Sequence, residues 1–442
     1  MNMSSTNTAS RSSRLYERAQ RVFPGGYTRV TLIEKSSEPV FVDRGEGAYM
    51  VSVDGRRYLD CSQNFTSLIH GHAFAPVTQA VREQLEKGTA FSLGGEAEIR
   101  LAEALQQRCR SFEHICFSNS GTEAVMHALK ASRAFTGRPL IAKCEGAYHG
   151  LSDFSEVSVS PTPDNWGDDE PASVPSSAGT PESVLDGVVT LPFNDVQASL
   201  GILQRHRDRL ACVLLDPMPS RLGLIPATAE YLRAIREFCT REGVVLVFDQ
   251  VINFRLAHGG CEAFFGVEPD VSTLAKVVGG GFPIGAVAGR ASFMKVFSAA
   301  EGYPKLPSGG TFSANPVTML AGLAALEHLT PAAIDRINQH GENVRSRVTA
   351  HIERQGLEAC ITGEGSLFKI HFGVKSPRNY RDSFPLPAEV DRGNRFRGAT
   401  MARNVHLMPS GLGSISTVMT EADIETLVTA MRESIDEVYA DS

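Results

Sequence analysis

A lysine interrupts an otherwise apolar run in the second half of the chain. Lys276 lies within residues 273–281 (TLAKVVGGG), which end in three glycines. Burial in apolar surroundings disfavours the ammonium form and lowers the pKa of a lysine, which is the condition for an amine that forms a Schiff base. The glycines would let the backbone approach a bulky group. A surface lysine with a solvated ammonium is the alternative, and the glycines count against it.

A carboxylate follows another apolar run. Asp249 comes directly after residues 244–248 (VVLVF), a pattern typical of a buried strand. In open parallel sheets, ligands bind beyond the carboxyl ends of the strands. A half-buried carboxylate there costs free energy unless it has a cationic partner, such as a protonated pyridine nitrogen. A helix cap or an ion pair with Arg255 explains Asp249 equally well when this residue is considered alone.

Small hydroxyl-bearing residues and a glycine lie between a predicted strand and a predicted helix. Residues 118–124 (SNSGTEA) would leave several free N–H groups at the positive end of the helix dipole, which suits a phosphate. Ordinary capping by Ser or Thr, with Glu123 in the first turn, is the better explanation of this motif alone. The three features together are the fixtures that pyridoxal 5′-phosphate (PLP) requires.

The elements that must position these residues alternate between short apolar strands and helices from about residue 111 onward. Strands are predicted at 115–117, 140–144, 210–215 and 244–248, and helices at 121–136 and 229–241. This alternation predicts an α/β fold with a parallel sheet that is buried on both faces.

The remaining segments predict smaller elements around that sheet. Before it lie a helix at 15–23, strands at 39–42, 48–53 and 57–59 with a turn at Asp54-Gly55, and helices at 75–87 and 97–108. Residues 155–187 are rich in Ser, Pro, Asp and Gly and predict a long surface insertion. Helices at 317–328, 331–355 and 421–439, with weak strands at 359–361 and 367–372, predict a small α+β domain. Residues 1–12 are typical of a frayed tail.

Composition excludes several classes of protein. The 442 residues are 42% hydrophobic and 21% charged, with a net charge of −7, so we expect neither nucleic acid nor an anionic membrane as a partner. No stretch approaches the ~18 apolar residues of a membrane span. The eight cysteines form no C-x-x-C pair, and we expect no metal. By default the protein is expected to be soluble and cytoplasmic.

Five motifs in order resemble those of one enzyme family. They are residues 117–124 (FSNSGTEA), 147–150 (AYHG), 248–251 (FDQV), 274–281 (LAKVVGGG) and 310–316 (GTFSANP). The chain resembles the class III, fold-type I PLP-dependent aminotransferases over about residues 15–439. Within them it is similar to the branch of glutamate-1-semialdehyde aminomutase and the β-amino acid transaminases.

This resemblance implies a fold and a domain division. A large PLP-binding domain at 71–316, with the insertion 155–187, would contain a mainly parallel seven-stranded sheet flanked by helices. Residues 1–70, comprising the tail, a helix and small strands, would form part of a small domain, which residues 317–442 complete.

The resemblance also implies catalytic roles. Lys276 would hold PLP as a Schiff base and later shuttle a proton between the substrate carbon and the cofactor. Asp249 would pair with the pyridinium nitrogen. Tyr148 would stack on one face of the ring.

Further cofactor contacts follow from the same resemblance. Ser120, Gly121 and Thr122 would hold the phosphate, and Val251 would pack on the second face of the ring. Thr311 would reach the phosphate of the neighbouring subunit's cofactor, which implies a homodimer.

Three departures and one arginine bear on the substrate. Gln250 stands where the family usually has Glu, and the strand-end Glu-Pro of the family is Asp216-Pro217 here. The late acidic residue typical of the aminomutases has no counterpart in residues 409–414 (PSGLGS). Arg29 matches the arginine that binds the substrate carboxylate in the β-amino acid transaminases, while a salt bridge with Glu34 or Asp43 is the alternative.

These observations predict a PLP-dependent aminotransferase that acts on a β-amino acid or a similar non-standard amine, with a 2-oxo acid as acceptor. Intramolecular amino transfer, as in glutamate-1-semialdehyde aminomutase, is the second hypothesis. A third, a PLP-binding relative without catalytic activity, is disfavoured because Lys276 is present.

Overall fold

Three β-sheets organise the chain in the computed structural model, which describes residues 10–29, 39–300 and 302–440. In chain order the strands are β1 (Val42–Glu46), β2 (Tyr49–Ser52), β3 (Arg57–Asp60), β4 (His114–Ser118), β5 (Leu140–Cys144), β6 (Val188–Leu191), β7 (Leu210–Leu215), β8 (Val245–Asp249), β9 (Val271–Ala275), β10 (Gly285–Gly289), β11 (Ala359–Thr362), β12 (Leu367–Phe372), β13 (Val405–His406) and β14 (Leu412–Ser414).

Helices of very different lengths connect and cover these strands. They are α1 (Arg11–Ala19), α2 (Gln63–Thr66), α3 (Ala75–Leu85), α4 (Glu96–Gln106), α5 (Gly121–Thr136), α6 (Asp153–Glu156), α7 (Glu182–Leu185), α8 (Val196–His206), α9 (Ala229–Glu242), α10 (Gly260–Phe265), α11 (Ala291–Met294), α12 (Pro316–His328), α13 (Pro331–Gln355), α14 (Pro387–Ala402) and α15 (Glu421–Ala440).

The largest sheet has seven strands in the order β4-β10-β9-β8-β7-β5-β6. Strands β5 to β9 within it pair in parallel, whereas β10 runs antiparallel to both of its neighbours. Every residue of β7, β8 and β9 is buried, as expected for strands that are covered by helices on both faces. The predicted α/β fold with a mainly parallel seven-stranded sheet is confirmed.

Helix α5 begins beside this sheet at the phosphate-type motif. Its N-cap is Ser120, whose hydroxyl accepts a hydrogen bond from the Glu123 amide, and it ends at Gly137 with a φ of 72°. Its buried face consists largely of small residues, including Ala124, Ala128 and Ala131, so the helix can lie close to the strands. The predicted bounds of this helix, 121–136, are confirmed.

Two smaller sheets lie beside the seven-stranded sheet in the sequence, and one of them combines segments from both ends of the described chain. One has the order β1-β2-β3-β13, in which β13 joins β3 in parallel with Val405 opposite Leu59. The other has the order β11-β12-β14. The first sheet therefore combines segments from either side of the seven-stranded sheet in the sequence, while the predicted domain bounds stay predictions.

Several elements differ from the predictions. The first helix begins at Arg11 rather than residue 15 because Ser10 caps it, and Ser12, assigned to the frayed tail, is buried against Asp54. Residues 1–9 lie outside the described part of the chain. The strand predicted at 39–42 begins only at Val42. The structure also contains elements that were not predicted, among them β6, α8, β9, β10 and α14.

The predicted surface insertion is irregular but anchored. Apart from α6 and α7 it contains no regular element, and most of residues 162–183 are exposed or half-buried. Its first part is different because Val157 and Ser158 are buried. The ammonium of Lys143, inside β5, donates a hydrogen bond of 2.6 Å to the Val157 carbonyl oxygen. The insertion is thus tied to the central sheet at its start.

No single helix in the described ranges is long and apolar enough to cross a membrane, although α12 and α13, joined at a 75° bend, would pass together by length and composition. Within the same ranges, no group of three or more His, Cys, Asp or Glu residues could hold a metal ion.

Candidate active site

A cleft of about 380 Å³ lies where β4, β5, β7, β8 and β9 end. The loops after these strands supply most of its lining, which is the position at which open α/β sheets bind ligands. Seven of the predicted site residues line it together: Arg29, Gly121, Thr122, Tyr148, Asp249, Val251 and Lys276. The structure therefore brings together residues that are up to 247 positions apart in the sequence.

Ser120 and Thr311 do not line this cleft. The Ser120 hydroxyl is engaged in capping α5, where it accepts from the Glu123 amide at 3.1 Å. Thr311 lies in an exposed turn before α12. A phosphate contact by Ser120, and the reach of Thr311 into a neighbouring subunit, stay predictions.

Lys276 is the first residue after β9 and adopts a left-handed backbone conformation, with a φ of 53°. Burial lowers the pKa of its amine from 10.5 to about 8, against the opposing charges of Asp249 and Asp216. Such a backbone conformation is costly for a residue with a side chain and is often found at functional sites. A much larger fraction of this amine than of an ordinary lysine is therefore neutral near neutral pH, and most of it is neutral at mildly alkaline pH.

The glycines after Lys276 have a packing role in this structure. A Cβ atom on Gly280 would lie 2.3 Å from the Ala321 carbonyl oxygen, and one on Gly279 would lie 2.6 Å from the Ile284 side chain. The glycines therefore allow this segment to pack closely against α12 and Ile284. Close packing on that helix keeps the lysine segment fixed at the edge of the sheet.

Asp249 ends β8 and is 4% exposed. One carboxylate oxygen, Oδ1, accepts hydrogen bonds from the Val251 amide at 3.0 Å and the Thr273 hydroxyl at 3.3 Å. The other, Oδ2, is 2.8 Å from Nδ1 of His149. The carboxylate is therefore held rigidly while it lines the cleft. Arg255, considered above as its ion-pair partner, bonds to other groups.

His149 belongs to the AYHG motif, but no role was predicted for it. It is fully buried, and burial lowers the pKa of its imidazole, although the hydrogen bond to Asp249 acts in the opposite direction. A neutral imidazole that donates from Nδ1 fits this environment. Its Nε2 is buried without a hydrogen-bond partner among the described residues. His149 thus orients the Asp249 carboxylate from behind.

A second buried carboxyl, Asp216, also lines the cleft. Burial, followed by the nearby charge of Asp249, raises the pKa of Asp216 well above its usual value. It accepts hydrogen bonds from the Met218 amide at 2.9 Å and from the Asn253 side-chain amide. The raised pKa of Asp216 favours its neutral form, which can donate a hydrogen bond into the cleft without adding a second negative charge.

The N-terminus of α5, where an anion site is predicted, lines the cleft. Among the described residues, no acceptor is bonded to the backbone N–H groups of Gly121 and Thr122, which line the cleft. A Cβ atom on Gly121 would lie 3.2 Å from Val251, so glycine keeps this end of the helix open. Two free N–H groups at the positive end of a helix dipole fit a phosphate.

Arg29 approaches the cleft from the N-terminal segment. One of its guanidinium nitrogens, Nη1, donates to Asn64 Oδ1 at 2.9 Å, and its Cζ lies 5.4 Å from the centre of the Phe65 ring. Of its alternative partners, Asp43 is ion-paired with Arg44, and Glu34 lies outside the described residues. In the described part of the chain, Arg29 forms no salt bridge.

The cleft thus combines the groups that PLP needs. Free N–H groups at a helix N-terminus fit its phosphate, the buried Asp249 carboxylate fits a cationic ring nitrogen, and the depressed pKa of Lys276 suits attack on its aldehyde. The residues that would hold the cofactor are present together in one cavity.

The rate at which PLP-free protein takes up PLP should rise with pH and level off near the pKa of Lys276. The neutral amine attacks the aldehyde, and its fraction increases as the pH rises through about 8. We expect a plateau above about pH 9, whereas an unperturbed lysine would continue to gain ~tenfold per pH unit. Stopped-flow absorbance at several pH values measures this. Continued acceleration well above the plateau region would contradict the depressed pKa.

The sequence is similar to one enzyme family and to individual members of it. Residues 32–425 match the family described as aminotransferase class III. The chain is 37% identical over 374 residues to a glutamate-1-semialdehyde 2,1-aminomutase from Methanothermobacter thermautotrophicus, an alignment that covers 84% of this chain and 86% of the relative.

Solved structures resemble the fold over nearly its whole length. An ω-transaminase from Sphaerobacter thermophilus superposes with a TM-score of 0.94 at 44% identity, covering 98% of this chain and 99% of that one. A transaminase with PLP bound gives 0.88 at 42%, with coverages of 97% and 98%. A β-phenylalanine aminotransferase from Variovorax paradoxus gives 0.87 at 32%, with coverages of 97% and 94%.

Proposed function

The chain belongs to the class III aminotransferases and is a PLP-dependent enzyme, and on this premise we propose that it moves an amino group between a β-amino acid, or a related non-standard amine, and a 2-oxo acid. The observation that carries the proposal is Arg29, a cation on the cleft wall without an acidic partner in the described part of the chain. A guanidinium binds a carboxylate through two parallel hydrogen bonds.

The residues of the cleft fit the steps of amino transfer. Bound PLP would act as a sink for the electrons of the carbon that bears the amino group. Lys276, with a pKa of about 8, can accept the proton from this carbon and return it at a neighbouring position. Asp249 keeps a positive charge on the ring nitrogen favourable. Asp216 can donate a hydrogen bond without adding a second negative charge.

The similar proteins are named for different reactions, some for intermolecular and some for intramolecular amino transfer. The ω-transaminase and the β-phenylalanine aminotransferase favour intermolecular transfer, and they are similar over almost the entire chain. A homodimer with Thr311 at the neighbouring site is part of the same proposal. It is supported by exposed apolar side chains that a partner subunit would cover, namely Phe91, Leu93, Tyr303 and Phe312.

Intramolecular amino transfer is the second candidate because two relatives that are 37% and 34% identical to this chain are named glutamate-1-semialdehyde 2,1-aminomutases. The late acid typical of those enzymes is absent from residues 409–414, and in the described residues the acids that line the cleft are Asp216 and Asp249. Both are buried at strand ends, and Asp249 is proposed to pair with the cofactor. Asp249 would therefore not replace the missing late acid.

An activity assay that combines an amino donor with a 2-oxo acid acceptor tests the proposal. β-Phenylalanine and other β-amino acids, with 2-oxoglutarate or pyruvate as acceptor, should be turned over. Arg29→Ala should raise KM for β-phenylalanine by about 10- to 100-fold, because it removes a charged hydrogen-bonding group, and should leave 1-phenylpropylamine, which has no carboxylate, nearly unaffected. Conversion of glutamate-1-semialdehyde alone, with no donor–acceptor pair accepted, would overturn the proposal.

A further inference from the structure

A left-handed helical turn borders the cleft. All four residues of α2 have positive φ values, from 47° at Asn64 to 71° at Thr66, and none of them is glycine. Residues with side chains adopt this conformation at a cost in free energy and normally do so singly rather than in a run. A run of this kind persists where its surroundings fix it, and it is found at functional sites.

The buried side of the turn is anchored through hydrogen bonds. Asp60 Oδ1 accepts from the amides of Ser62 and Gln63, both at 3.0 Å. The Gln63 side-chain amide donates to the Ser414 carbonyl oxygen at 2.8 Å. Gln63 and Asp60 are each only 2% exposed, so water does not compete for these hydrogen bonds. The start of the turn is therefore fixed to β3 and β14.

Arg255 anchors the end of the turn. Its side chain is completely buried, and it donates to the Thr66 carbonyl oxygen at 3.4 Å, the Ser366 hydroxyl at 2.9 Å and the Ile415 carbonyl oxygen. Burial lowers the pKa of Arg255 to about 9, and none of its hydrogen bonds goes to a carboxylate among the described residues. A buried cation with only neutral partners is costly, so its contacts indicate a specific task.

The exposed side of the turn contacts Arg29. Asn64 accepts a hydrogen bond from the guanidinium through Oδ1, and the Phe65 ring lies beneath its Cζ. All three residues line the cavity that contains Lys276. An amide oxygen orients a guanidinium without neutralising its charge, whereas an acid at position 64 would compete with a carboxylate ligand.

We propose that Asn64 and Phe65 determine specificity by holding the Arg29 guanidinium as a preformed subsite for the carboxylate of the amino donor, and that Arg255 positions both through the left-handed turn. The inference rests on the proposed function, in which Arg29 binds that carboxylate. A guanidinium fixed before binding loses less conformational entropy when the substrate arrives, so the rigid turn favours carboxylated donors.

Asn64→Gly tests the subsite without disturbing the backbone, because glycine accepts the left-handed conformation freely. KM for β-phenylalanine should rise about tenfold, as expected for one lost hydrogen bond to a charged group. KM for 1-phenylpropylamine and both kcat values should stay unchanged. Binding of 3-phenylpropanoate, a carboxylate without an amino group, to the PLP-loaded enzyme should weaken by the same factor in calorimetry, independently of turnover.

Asn404→Gly is a matched control. Asn404 is also left-handed, with a φ of 62°, and its Oδ1 also accepts from an arginine, Arg56 Nε, at 2.6 Å, but it does not line the cleft. This variant should keep the wild-type KM for both donors. Equal KM and equal 3-phenylpropanoate affinity in Asn64→Gly and wild type would overturn the proposal.

Arg29→Ala separates the two levels of the hypothesis. A rise in KM with Arg29→Ala but not with Asn64→Gly would refute the role of Asn64 and leave the carboxylate role of Arg29 intact. No rise in either variant would refute both roles, while turnover of β-phenylalanine itself would still support the proposed amino transfer. Arg255→Lys should reproduce the selective loss for carboxylated donors with unchanged kcat for the amine. If that variant does not fold, Gln63→Met, which removes the bond to Ser414, serves the same purpose.

Discussion

Lys276→Ala is expected to abolish amino transfer and to remove the absorption band of the imine that PLP would form with this lysine. The substitution removes both the amine that attaches the cofactor and the base that moves the substrate proton. General acid–base catalysis alone contributes about 10²–10⁴-fold, and loss of covalent attachment adds to it, so kcat should fall by at least ~10⁴-fold. Turnover assays and absorbance spectra of the purified variant measure both effects, and far-UV circular dichroism should be unchanged.

Lys369→Met provides the matched control. Lys369 lies on β12, and burial also lowers the pKa of its amine to about 8, but it does not line the cleft. This variant should keep the absorption band and most of the activity. Retention of activity within tenfold in Lys276→Ala, or loss of the band in Lys369→Met, would show that the reactive lysine has been assigned wrongly.

Asp249→Asn should give the second-largest loss, about 10²- to 5 × 10³-fold in kcat. The amide keeps the shape and can still accept from His149, but it no longer favours a positive charge on the ring nitrogen. Breaking a buried ion pair from one side costs about 3–5 kcal/mol, which corresponds to this range of rates. Single-turnover kinetics of each half-reaction measure the effect, and cofactor binding by absorbance shows whether affinity changes separately.

Asp270→Asn is a suitable comparison for Asp249→Asn. Asp270 precedes β9 at the opposite end of the sheet, where it pairs with Arg236 at 2.9 Å. This variant should lose some stability but retain kcat. If both variants lose kcat equally, the effect of Asp249→Asn would reflect general damage to the sheet rather than the loss of charge at the cofactor.

The cofactor side of the site was predictable because each of its residues lies in a short, self-contained pattern. Asp249 ends an apolar strand, Lys276 lies within an apolar run that precedes three glycines, and Gly121 opens a helix with a clear N-cap. Such local patterns carry their own structural signal. His149 was missed because its significance lies in a hydrogen bond to a residue 100 positions away, which no local pattern reveals.

Other elements escaped prediction for equally physical reasons. Strand β10 reads GAVAG, a composition that usually disfavours strands, but a Cβ atom on Gly285 would lie 2.0 Å from the Ser120 carbonyl oxygen. Glycine is needed there so that the start of α5 can approach. The left-handed turn was also invisible, because Asn64 is its only residue of a type that tolerates this conformation well.

The parallel pairing of β13 with β3 has a consequence for protein synthesis. The Leu59 amide bonds to the Asn404 carbonyl oxygen and the Cys61 amide to the His406 carbonyl oxygen. One edge of the sheet that contains β3 is therefore completed by a strand that lies far later in the sequence. While the ribosome extends the chain through the central sheet, that edge has no native partner. Unpaired strand edges recruit other chains, so the nascent protein carries this vulnerability until translation passes residue 406.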